Sequence, residues 1–72
     1  MKLITEIIKK YPQVNFEYKV EKIKGYSLPF HTLYVGESPI VSIMEDHEPK
    51  TGTEKNGLME IVDINVKPYL PY

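Results

Sequence analysis

The densest group of side chains able to do chemistry is Glu45-Asp46-His47-Glu48, three carboxylates and an imidazole in four consecutive positions. A metal site needs ligands that converge from separate directions, whereas successive residues at a strand end point alternately apart. His31 would add a second imidazole if the fold carried it near, and two histidines with a carboxylate form a donor set suited to a transition metal. The spacing predicts instead a solvated acidic turn, with His31 a strand residue facing water. Acid–base catalysis requires one carboxylate whose surroundings differ from its neighbours'. Glu60 comes closest: on a strand it shares parity with Leu58, Val62 and Ile64, so it either faces inward with a lysine or backbone partner or is turned out by a bulge. The structural explanation is preferred. Serines stand only at 27, 38 and 42, none in a nucleophile elbow, and there is no cysteine. Lys50-Thr51-Gly52-Thr53-Glu54-Lys55-Asn56-Gly57 resembles a phosphate loop superficially but lacks the Gly-Lys-Ser/Thr ending that enters a helix. No catalytic, metal or cofactor-binding residue is assigned, and the chain is expected not to be an enzyme.

The elements that would position these groups are set by one change of period. Leu3, Ile4, Ile7, Ile8 and Tyr11 fall on one helical face, opposite Lys2, Thr5, Glu6, Lys9 and Lys10. A helix over about 2–11 follows, with Glu6 and Lys10 spaced for an i,i+4 ion pair and Pro12 as its stop. From Val14 onward the period is two: Val14, Phe16, Tyr18 and Val20 alternate with Asn15, Glu17, Lys19 and Glu21. Strands are expected over about 14–24, 30–35, 40–45 and 58–66. Gly25 and the Gly36-Glu37-Ser38-Pro39 segment mark the turns between the first three. A polar, mobile loop spans 46–57, and Pro68 and Pro71 make 67–72 an extended tail. The expected fold is a single α+β domain, an N-terminal helix packed on a four-stranded antiparallel β-sheet with meander connections.

Seventy-two residues lie near the lower size at which one hydrophobic core offsets the entropy of ordering the chain. With no cysteine, neither disulfides nor cysteine zinc sites can help, which suits a reducing cytoplasmic setting. No apolar run approaches the ~20 residues of a membrane span. The net charge of −1 hides an asymmetry: residues 1–36 hold six lysines against three glutamates, and residues 37–72 hold three lysines against seven acids. All basic residues are lysines, which removes the bidentate guanidinium contacts that read guanine or clamp phosphate. The same absence of arginine beside many Ile, Lys, Tyr and Asn residues suggests AT-rich coding, as in low-GC bacteria and their phages.

In the first expected strand one face is apolar and the other charged, but the later strands carry large apolar groups on both. One short helix covers two or three strands on one side at most, since strands lie ~4.8 Å apart and a helix is about 10 Å wide. The uncovered face is therefore expected to bind a partner through Phe30, Leu33, Tyr34, Ile40, Met44, Met59, Ile61, Tyr69 and Tyr72. Tyrosine suits such a face, being amphipathic and favoured at interface centres. The expected function is that of a small non-enzymatic protein-binding module or inhibitor, such as a phage or mobile-element accessory protein. Its partner is a second copy in a homodimer or a larger host protein. The alternative is a nucleic-acid-binding module that uses Lys19, Lys22 and Lys24 with Tyr18 and Tyr26, which the interleaved Glu17 and Glu21 disfavour.

Overall fold

In a computed structural model, which describes residues 1–71, the order of elements is helix, three strands, helix and a final helical turn. Helix α1, Lys2–Lys10, buries Leu3, Ile4 and Ile7 and carries Lys9 and Lys10 in its last turn, where the helix dipole favours positive charge. Strands β1, Phe16–Glu21, β2, Phe30–Val35, and β3, Ser38–Met44, form one antiparallel sheet in the order β1-β2-β3. Gly25 and Gly36 adopt φ of 95° and 62°, the left-handed region expected of the turn glycines. Gly36 and Glu37 form a two-residue hairpin turn, and Pro39 is accommodated because β3 is an edge strand.

The fourth strand expected over 58–66 does not exist. Those residues belong to helix α2, Gly52–Val66, which also absorbs the second half of the loop expected over 46–57. The helix starts where the backbone is capped: Thr51 Oγ1 accepts the Glu54 N–H at 3.1 Å, and the Glu54 carboxylate accepts the Lys50 N–H at 3.1 Å. Leu58, Val62 and Val66 then recur at i, i+4 and i+8, with Val62 and Val66 fully buried. Ile61, Val62, Ile64 and Val66 favour a strand locally and the mid-helix Gly57 disfavours a helix, and packing overrides both. The tail is likewise not extended throughout, since Lys67–Tyr69 form a 3-10 turn. Pro68 fits its first turn because the missing N–H has no partner to bond there.

Both helices lie against one face of the sheet. Phe16, Tyr18 and Val20 on β1 pair with Val35, Leu33 and His31 on β2, and Leu33 and His31 pair with Val41 and Ile43 on β3. Leu33 pairs with Val41 and Tyr34 with Pro39, so Ile40 is an extra residue whose bulge turns it into the core. Leu3, Ile4, Ile7, Val14, Leu33, Ile40, Ile43, Val62 and Val66 make up that core. The expected Glu6–Lys10 pair gives way to ties between the helices, Glu6 to Lys55 at 2.7 Å and Lys10 to Asp63 at 2.9 Å. The molecule measures 40 × 29 × 16 Å along its principal axes. The shortest of these fits one sheet and one layer of helices about 10 Å away, with no third layer.

Candidate functional site

The face of the sheet turned away from the helices carries a second set of side chains. Phe30 and Met44 are paired directly across β2 and β3, Thr32 and Ser42 come next, and Tyr34 and Pro39 follow. On the β1 side, Glu21, Lys19 and Glu17 stand opposite Phe30, Thr32 and Tyr34. Phe30, Tyr34 and Met44 are half-buried with no helix over them. Tyr26, from the β1–β2 connection, meets Phe30 edge-on with ring centroids 5.0 Å apart and widens the apolar end of the patch. At the other end the Tyr34 hydroxyl donates to Glu21 at 2.7 Å, and the Lys19 ammonium lies 5.0 Å from the centre of the Tyr34 ring. Hydrogen bonding to Glu21, then burial, raises the Tyr34 phenol above its ordinary value, so this end stays a neutral ring framed by charges. In the middle, the Thr32 and Ser42 hydroxyls satisfy each other at 2.8 Å. Chemically this is two apolar ends joined by a hydroxyl pair that satisfies itself, with a charged row along the β1 border, a composition compatible with a protein contact surface.

The residues expected to bind a partner are divided among four places. Phe30, Tyr34 and Met44 share the outer sheet face. Leu33 and Ile40 are buried in the core and closed to a partner. Met59 is half-buried on α2, whereas Ile61 and Tyr69 are exposed on α2 and the 3-10 turn. Tyr72 lies outside the described residues. Glu17, Lys19 and Glu21 were read only in connection with nucleic acid, not as the border of the protein-binding face, although their alternation already put them opposite Phe16, Tyr18 and Val20. Ile64 escaped because 58–66 was expected to be a strand; its helical spacing from Ile61 was the available signal.

His31 corrects a further expectation: it is buried rather than facing water. It shares parity with Leu33, and its ring lies between the Tyr18 hydroxyl, 2.5 Å from Nδ1, and Glu45 Oε1, 3.3 Å from Nε2. This Tyr-His-Glu chain ties β1, β2 and the end of β3 together. Glu48 accepts the Leu3 N–H at 3.1 Å and so serves a free donor of α1, while His47 and Asp46 are exposed neighbours 3.7 Å apart. Among the described residues no three His, Asp or Glu side chains are arranged to hold a metal ion. Glu60, considered as an inward carboxylate, is exposed on α2.

The lysine and tyrosine set of the nucleic-acid alternative is not gathered on one surface. Lys19 is on the outer face beside Tyr34, whereas Tyr18 is on the inner face bonded to His31. Among the described residues, no helix is long and apolar enough to cross a membrane. No protein-family model matches the chain, and neither curated proteins nor solved structures give a match.

Proposed function

We propose that this chain is a non-enzymatic protein-binding module that masks a surface of a larger protein with the outer face of its sheet. One observation carries the reading: Phe30 and Met44 are paired with Tyr26 beside them, and Tyr34 lies one pair further along, past Thr32 and Ser42, all on a face that both helices leave bare. Three aromatic rings and a thioether offer large, adaptable contact area, and the Glu17, Lys19 and Glu21 row supplies the charged border that orients a partner. The partner chemistry that fits is a mainly apolar protein surface bordered by mixed charge. The polar groups that suggested chemistry in the sequence serve the fold instead: His31 joins strands and Glu48 caps α1.

The test is comparative capture from a lysate of the source cells, using the whole chain and two variants. Phe30→Glu with Met44→Glu alters the outer face, and Ile64→Glu alters the far side of α2. A protein retained by the wild type and by Ile64→Glu but lost with the double variant supports the reading. Retention by all three, or capture of nothing, overturns it. Far-UV circular dichroism of each variant confirms that the fold persists.

A further inference from the structure

Helix α2 is apolar on two sides. Val62 and Val66 enter the core, yet Ile61 and Ile64 stand 53% and 69% exposed on the opposite side. With Gly57, and with Pro68 in the 3-10 turn that continues the helix, they fall at i, i+4, i+7 and i+11, the spacing of a helix that pairs with another helix. Gly57 has no role inside the molecule: its φ is not positive, and a Cβ built there meets nothing within 4 Å. A mid-helix glycine is nevertheless costly, by about 1 kcal/mol relative to alanine. Charge adds an independent observation. The α2 charges that face α1 are paired, Lys55 with Glu6 and Asp63 with Lys10, whereas the described residues provide no ion-pair partner for Glu60 or Lys67, both exposed on one flank of the stripe.

We infer that this stripe is a two-fold self-association site in which α2 of one copy packs antiparallel on α2 of a second. Seven residues separate Glu60 from Lys67, so a two-fold axis between positions 63 and 64 brings Glu60 level with Lys67 of the second copy, and Lys67 level with its Glu60. In the same register the apolar side chains interleave. Ile61 falls between Pro68 and Ile64 of the second copy, and Ile64 falls between its Ile64 and Ile61. Gly57 comes beside Pro68 of the second copy, and its missing side chain leaves room for the proline ring. A parallel pair would put Glu60 nearest Asn65 of the second copy and leave it without a cation, so the flanking charges select the antiparallel arrangement. The contact is smaller than the ~800 Å² per side of a standard interface, and the dimer is therefore weak and concentration-dependent. It lies on the side of the molecule away from the outer sheet face and does not depend on the function proposed for that face.

Sedimentation equilibrium over micromolar to millimolar protein tests the site. The wild type is expected to rise from 8.4 kDa toward twice that mass. Ile64→Glu should abolish the rise with the circular dichroism unchanged. Glu60→Lys and Lys67→Glu should each raise the dissociation constant about tenfold, because each change alters two symmetry-related pairs. The double exchange Glu60→Lys with Lys67→Glu should restore it, and Phe30→Glu should leave it unaltered. A wild type that stays monomeric, a dimer indifferent to Ile64→Glu, a dimer lost with Phe30→Glu, or a charge exchange that fails to restore association would each overturn the proposal.

Discussion

Replacing Asp63 by asparagine removes the charge that joins α1 to α2, and its cost follows from three contacts. Both Lys10 contacts are 2.9 Å long, but the two side chains are 45% and 39% exposed, so solvent screening limits that pair to about 0.5 kcal/mol. The Tyr11 hydroxyl donates to the same carboxylate from a part-buried position, and a hydrogen bond to a charged acceptor contributes about 1.5 kcal/mol. Asparagine keeps an acceptor for one of the two donors, which leaves a net loss of about 1 kcal/mol, or about 4–8 °C in Tm for a domain of this size. The loss should depend on pH. Asp63 is held below the usual carboxylate range first by the Tyr11 hydroxyl and then by Lys10, with burial acting the other way. A carboxylate lowered on folding contributes stability above its unfolded value of about 3.9 and loses it as pH falls through the folded value. Lys10 is raised chiefly by its hydrogen bond to Asp63, and Tyr11 by burial and then by Asp63. Their contributions hold below 10.5 and 10.0 and fade as pH climbs through the raised folded values. Urea unfolding followed by circular dichroism from acid to mildly alkaline pH should therefore show a constant difference between wild type and Asp63→Asn from about pH 5 to 9, shrinking below about pH 4. A difference that stays the same from neutral pH to about pH 3 would show that the carboxylate charge is not what joins the helices.

Thr51→Ala should lower stability by about 1 kcal/mol through loss of the cap on α2, measured by urea unfolding; no loss would place the helix start elsewhere. Gly57→Ala, measured by thermal unfolding at dilute concentration, should raise stability by up to about 1 kcal/mol, since its Cβ enters open space on a helix. A decrease would contradict a helical, uncrowded position 57. Leu33→Ala, at a fully buried site between sheet and helices, should cost about 2–5 kcal/mol and bring so small a domain close to unfolding, whereas Tyr34→Phe on the outer face should cost far less. Equal losses at the two positions would mean that the faces of β2 are misassigned.

What could be read from the sequence follows the range of the interaction responsible. Helix α1 was legible because its isoleucine stripe, its lysine-rich end and Pro12 are all local signals. The turns at Gly25 and Gly36 were legible because only glycine enters the left-handed region without strain. Parity within β2 put Phe30 and Tyr34 on one side, but that Met44 joins them depends on the pairing of β2 with β3, which no single strand records. Ile40 defeated the same parity because a bulge against Leu33 reverses it, and pairing with another strand is not written in the strand's own pattern. Residues 58–66 were misread because Ile61, Val62, Ile64 and Val66 favour strands intrinsically, and the Thr51-x-x-Glu54 cap lay within a stretch taken for loop.

That single misreading also changes what the apolar surplus means. Four strands under one helix would leave a broad sheet face as the sole excess, and the partner-binding residues would collect there. With 58–66 helical, two helices cover the β2–β3 part of the inner face, and Leu33 and Ile40 become core, while Val20 on β1 stays exposed. The surplus then separates into two surfaces of different kind. Phe30, Tyr34 and Met44 lie on a pleated face with a charged row along one border, which suits a foreign protein surface. Ile61 and Ile64 lie on a helix where Glu60 and Lys67, without an ion-pair partner among the described residues, are spaced to meet their own copies, which suits self-association. If both surfaces are used, dimerisation through α2 leaves two outer sheet faces free on one particle. A partner that is itself repeated in an assembly would then be held by both at once, and the second contact would form at the effective concentration set by the first. Ile64→Glu should therefore weaken retention of such a repeated partner while leaving affinity for a single isolated subunit unchanged.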